Sequence, residues 1–146
     1  MADTVGWGIL GAGRISGKFA TGLAGAPGVR LAAVGSRDLG RAEGFAAEFG
    51  AERAHGSYGA LLADPGVDVV YVGTVNTAHR ENVLACLEAG KAVLCEKPFM
   101  LNAGEAEEVV GVARGKGLFL MEAMWSRFFP VMGRVREWLA AGEIGE

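Results

Sequence analysis

Six short strand-like runs recur along this 146-residue chain, and a stretch of helical spacing separates each from the next. They fall at residues 5–10, 31–36, 53–55 (the weakest), 69–72, 92–95 and 118–121. Nearly unbroken apolar strands suit a parallel sheet covered on both faces. Strand, helix, strand, repeated, specifies an α/β fold: a Rossmann-type, doubly wound parallel sheet. Between the runs, Ala106, Val109, Val110 and Ala113 make one apolar stripe at i, i+3, i+4, i+7. Asn102 with Glu105 three residues on reads as an N-cap with its capping-box partner. Val83, Leu84 and Leu87 make a shorter stripe that Gly90 would end. Val131, Val135, Trp138 and Leu139 mark a last helix.

Composition narrows the function classes. The chain has 24 glycines and no Gly-X-Y repeat, which points to many tight turns rather than a fibre. A net charge of -3 argues against a nucleic-acid partner, which would want a basic face. The two cysteines, Cys86 and Cys95, lack CxxC spacing, so no metal site or disulfide framework is expected and a reducing, cytoplasmic setting is. No apolar run approaches the roughly 20 residues that cross a bilayer, so no membrane partner is expected.

The first run leads straight into Gly11-Ala12-Gly13-Arg14-Ile15-Ser16. A dinucleotide loop needs a glycine for the tight turn, a second for close approach of the pyrophosphate, and a small third residue where helix and strand close up. Ser16 departs from the usual glycine or alanine but is still small. The helix that follows offers free N–H groups to phosphate. The bland alternative is an ordinary strand-to-helix turn, but the pattern stands where a cofactor site requires it.

NAD-binding folds place an acid at the end of the second strand, about 20 residues further on, for the ribose hydroxyls. This chain has Ser36 there, then Arg37 and Asp38, with Arg41 a turn later. Serine leaves room for a 2′-phosphate and a guanidinium can grip it. NADP is therefore expected over NAD. Asp38 as the ribose acid, one or two places late, is the alternative.

Ligands of such sheets lie beyond the carboxyl ends of the strands. The fourth strand ends in Thr74, Asn76 and His79, candidates for ribose and phosphate contacts. Thr77 could simply cap the next helix, and His79 could be a surface residue of its first turn. The fifth strand ends in Glu96-Lys97-Pro98. At the mouth of a nicotinamide cleft, Lys97 can hold a substrate hydroxyl and move its proton. Glu96 would orient the lysine, and Pro98 would stiffen the turn with a cis bond.

These loops, with "YVGTVNTAH", "AGKAVLCEKP" and "LFLMEAMWSRFFP", resemble the glucose-fructose oxidoreductase and inositol dehydrogenase superfamily. The match is nearest its dihydrodiol dehydrogenase and NADP-dependent D-xylose dehydrogenase branches. The resemblance implies hydride transfer from a hydroxyl carbon of a dihydrodiol or sugar to NADP, with Lys97 catalytic. It implies a substrate pocket containing Trp125, Arg127 and Phe128. From the residues alone, Trp125 and Phe128 read equally well as junction aromatics, and Phe129 reads as core. Many members have Thr-Pro where this chain has Thr74-Val75. The resemblance also implies a second, β-rich substrate domain that is absent from these residues and would carry the surface for a homo-oligomer. Residues 1–122 would then be the dinucleotide-binding domain and 123–146 a junction helix. A stand-alone dinucleotide-binding module without turnover, and an NAD-dependent sugar dehydrogenase, are the competing readings.

Overall fold

In a computed structural model, residues 4–143 and 145 are described. The strands are β1 (Val5–Leu10), β2 (Val29–Gly35), β3 (Arg53–His55), β4 (Val69–Val72), β5 (Ala92–Cys95) and β6 (Leu120–Glu122). The helices are α1 (Arg14–Leu23), α2 (Leu39–Phe49), α3 (Tyr58–Leu62), α4 (His79–Glu88), α5 (Ala103–Gly115) and α6 (Pro130–Ala140). Short 3₁₀ turns occupy Asn76–Ala78 and Trp125–Phe128. The strands form one parallel sheet in the order β3-β2-β1-β4-β5-β6. This is the Rossmann order, and it reverses direction between β1 and β4.

The alternation of side chains along a strand divides the core in two. Leu10, Val70, Val72 and Val93 face α3, α4 and α5, meeting Leu61, Val83, Leu87 and Val109. Ile9, Val34 and Tyr71 face the opposite way, meeting Ala20 of α1 and Ala42 and Phe45 of α2. On this second face, α1 and α2 cover the β1–β3 side. Leu94 of β5 and Ala123 after β6 are only partly buried there. The open half of that face becomes part of the site.

Two strand boundaries differ from the sequence expectation. β2 begins earlier, at Val29, which pairs with the first residue of β1, and ends at Gly35, which pairs with its last. β6 begins later. Leu118 closes the end of α5 instead, its N–H bonding to Ala113 O at 2.9 Å after Gly117 turns at φ 65°. The Asn102 cap forms, with Oδ1 accepting the Glu105 N–H at 3.0 Å. The reciprocal bond shifts by one residue: Glu105 accepts from Leu101 N–H, not from Asn102. Phe129, read as a core aromatic of a domain junction, is 44% exposed in these residues. The α6 stripe forms as expected, yet no residue of α6 is buried. Among the described residues no helix is long and apolar enough to cross a membrane.

Candidate cofactor and substrate site

The turn after β1 is built by glycine where glycine is required. Gly11 has φ 101°, a conformation that side chains rarely adopt, and a Cβ there would crowd Gly73 O and Thr74. A Cβ on Gly13 would meet nothing within 4 Å, so the loop presents open backbone. Gly13 caps α1 with no side-chain bond, which leaves the first-turn N–H groups to an outside acceptor. Ser16, at the third position, is fully buried and donates its hydroxyl to Gly11 O at 2.6 Å. The next residue, Gly17, provides the close helix packing, since a Cβ there would overlap the Phe49 ring of α2.

A cavity of about 550 Å³ with a mixed polar and apolar lining opens at the β1/β4 reversal. Gly11, Gly13, Ser36, Arg37, Arg41 and Thr74 line it. Arg37 is exposed and has no carboxylate partner among the described residues. Asp38 is held as the N-cap of α2, its Oδ1 accepting the Arg41 N–H at 3.0 Å. Asn82, which sequence reasoning missed, fixes Thr74 by donating to its Oγ1 at 3.0 Å. Arg14 lies elsewhere, in a smaller cavity between α1 and α2 with Lys18 and Glu48.

Asn76 and His79 point away from this cavity. Asn76 donates to Pro98 O at 2.6 Å. His79 is 1% exposed, buried rather than on the surface. Its Nδ1 stands 3.0 Å from both Pro98 O and Phe99 O, and its Nε2 stands 3.2 Å from Thr74 O. Together they brace the turn after β4 against the turn after β5. Thr77 does not cap α4, because Ala78 takes that position with no side-chain bond.

A second cavity, also about 550 Å³ but mostly apolar, lies over the open half of the sheet. Ile15, Tyr71, Lys97, Met121, Trp125 and Phe128 are among its lining residues, with Lys18 and Glu96. The Lys97–Pro98 bond is cis. Glu96 does not reach the Lys97 ammonium. Its Oε2 accepts the Lys97 backbone N–H at 3.0 Å, and its Oε1 accepts the Tyr71 hydroxyl at 2.7 Å. Burial, then the bond to Glu96, raises the Tyr71 hydroxyl far above the ordinary phenol range, so it remains a donor. Cys95, beside Glu96, is no nucleophile: burial pushes its thiol up to about 12. Trp125 and Phe128 are 67% and 66% exposed and stand at the cavity rim, whereas Arg127 is exposed and outside the lining. Lys18 and Phe19 were legible in principle, since they follow Ile15 by three and four residues on one helix face.

The family described as "Oxidoreductase family, NAD-binding Rossmann fold" matches residues 5–124. The chain belongs to that family. Trans-1,2-dihydrobenzene-1,2-diol dehydrogenase from Mus musculus is 51% identical over 142 residues, covering 96% of this chain and 43% of the relative. The Homo sapiens protein of that name is 47% identical and covers 96% and 42%. The chain thus spans less than half the length of the curated relatives it matches. Among solved structures, the 3-ketoreductase KijD10 from Actinomadura kijaniata in complex with NADP superimposes with TM-score 0.89 at 35% identity, covering 98% of this chain and 46% of that one. Apo scyllo-inositol dehydrogenase from Lactobacillus casei, at 24% identity and TM-score 0.90, shares the fold.

Proposed function

We propose that this chain is the NADP-binding half of a dehydrogenase acting on a hydroxyl carbon of a dihydrodiol or sugar. One observation carries the cofactor choice: Ser36 and Arg37 stand at the end of β2, and the nearest acid, Asp38, is engaged as a helix cap. The residues fit NADP. Gly11 and Gly13 leave backbone open to a pyrophosphate, and Arg37 and Arg41 offer guanidinium groups beside a short serine. Thr74 would meet the ribose and phosphate groups from across the cleft. The names of the curated relatives, and the NADP held by KijD10, support the same reading.

NADP, when bound, supplies the hydride acceptor. The chain supplies the rest of this half-site. Ile15 forms apolar wall, and Trp125 and Phe128 flank the entrance. Lys97 hydrogen-bonds the substrate oxygen: its neutral amine takes up the hydroxyl proton as the carbonyl forms, and the resulting ammonium gives that proton back to the carbonyl oxygen in the reverse reaction. Residues 1–122 serve as the cofactor domain and 123–146 as the junction to a β-rich domain that closes the apolar cavity. A homo-oligomer would form through that second domain, and two free buried cysteines suit a reducing cytoplasm.

Calorimetric titration with NADP and NAD tests the proposal. NADP binds tighter by about tenfold or more, the factor of one charge-assisted bond. Equal affinities, or no binding of either, overturn it.

A further inference from the structure

The buried Tyr71 hydroxyl has no task in the reading above. Tyr71 sits on β4, 1% exposed, with its ring stacked on Phe19 at a centroid distance of 4.0 Å. Burial and the stack leave the ring one place, and a buried phenol must find an acceptor. That acceptor is Glu96 Oε1, at 2.7 Å. The other carboxylate oxygen takes the Lys97 backbone N–H. Both oxygens of Glu96 therefore face neutral donors, while two cationic side chains, Lys18 and Lys97, line the same cavity. Among the described residues neither ammonium forms an ion pair with Glu96. A carboxylate and an ammonium on adjacent residues attract weakly in solvent, and the two bonds that Glu96 accepts compete with that attraction.

We propose that Tyr71 is a positioning residue that turns Glu96 down onto the sheet and so keeps the Lys97 ammonium unpaired and free for a substrate hydroxyl. The inference rests on the reading of Lys97 given above. Without the Tyr71 hydroxyl, Glu96 Oε1 loses its partner and swings to the Lys97 ammonium. The lysine then meets substrate only after an ion pair is broken.

Competitive labelling of Lys97 by an amine-reactive anhydride, read by peptide mass spectrometry without cofactor, tests this. Tyr71→Phe keeps the ring and its stack and removes only the hydroxyl. Labelling of Lys97 relative to Lys116 falls by about two- to fivefold, the range of a partly exposed ion pair. Adding Glu96→Gln to Tyr71→Phe restores the wild-type rate, which a merely structural role would not do. Glu96→Asp withdraws the carboxylate from Tyr71 without touching the buried ring, and it slows labelling likewise. Amide exchange across β4 and β5 confirms that each variant is folded. Unchanged or faster labelling in Tyr71→Phe overturns the inference, as does a double variant that stays slow. Because no cofactor is present, these outcomes are independent of the NADP titration that tests the proposed function.

Discussion

Ser16 and Gly73 share one small space. The Ser16 hydroxyl, bonded to Gly11 O at 2.6 Å, lies where a Gly73 side chain would begin. The glycine turn after β1 is thereby packed against the turn after β4, across the reversal of the sheet. Gly73→Ala would drive a methyl into Ser16 Oγ and the edge of the Tyr71 ring. Overpacking of this kind costs about 1–3 kcal/mol. Denaturant unfolding of Gly73→Ala should show that loss. Adding Ser16→Gly should recover part of it, with the Tyr71 ring keeping the remainder. No recovery would mean that Ser16 is not the obstacle.

Arg37→Ala tests the cofactor preference at the residue level. Among the described residues Arg37 has no carboxylate partner, so its charge is available to a 2′-phosphate. Removing one arginine–phosphate contact should cost NADP about 1.5–3 kcal/mol and leave NAD affinity nearly unchanged. The measurement is the ratio of the two dissociation constants. A variant that keeps the wild-type ratio would place the preference elsewhere, with Arg41 the next residue to test.

The sequence made the central strands legible because buried parallel strands must be apolar throughout, whereas the edge strand β3, Arg53-Ala54-His55, carries no such run. β1, β3, β4 and β5 fall where their residue runs place them. β2 and β6 were misjudged at their ends because boundaries depend on partners: Val29 is a strand residue through its pairing with Val5, and Leu118 bonds to a helix instead. The places of the glycine turn, Ser36 and Lys97 were legible because each directly follows a strand, β1, β2 and β5 in turn. His79 was not, since a histidine in a helix's first turn gives no sign that three backbone carbonyls will surround it. Tyr71 was hidden inside an apolar strand, where its ring reads as core and its hydroxyl goes unnoticed.

Asp64 should make the fold acid-sensitive in a defined window. Burial would raise its carboxyl, but His55, Arg53 and the Gly66 N–H outweigh burial and hold it at about 2, below its ordinary 3.8. The Arg53 guanidinium binds both oxygens, at 2.6 and 2.9 Å. An ionised carboxylate only accepts, so His55 Nε2, at 2.9 Å, carries the proton between them. A depressed folded value stabilises the fold above the unfolded one. The contribution of about 2 kcal/mol is complete above pH 3.8 and is lost as pH falls through about 2. Asp64→Asn should remove most of this dependence. Unfolding free energies measured from pH 6 down to the acid limit check it, and an unaltered slope in Asp64→Asn would refute the assignment.

Lys97 decides whether the apolar cavity is a catalytic site. It is exposed, on the cavity shared by Ile15 and Trp125, and its backbone is held by Glu96. The chain spans less than half the length of its curated relatives, and Trp125 and Phe128 stand largely uncovered. Hydride transfer needs the substrate carbon held at near-attack distance with water excluded. These 146 residues alone should therefore bind NADP and give no detectable turnover of dihydrodiols or D-xylose. In a protein of the proposed two-domain kind, Lys97→Met should lower kcat by about 10²–10⁴-fold, the range of a general acid–base group, with NADP affinity nearly intact. Single-turnover kinetics beside NADP titration separate the two effects. If Lys97→Met instead abolished NADP binding and kept a normal rate at saturation, the lysine would be a clamp on the cofactor and the proton would leave by another group.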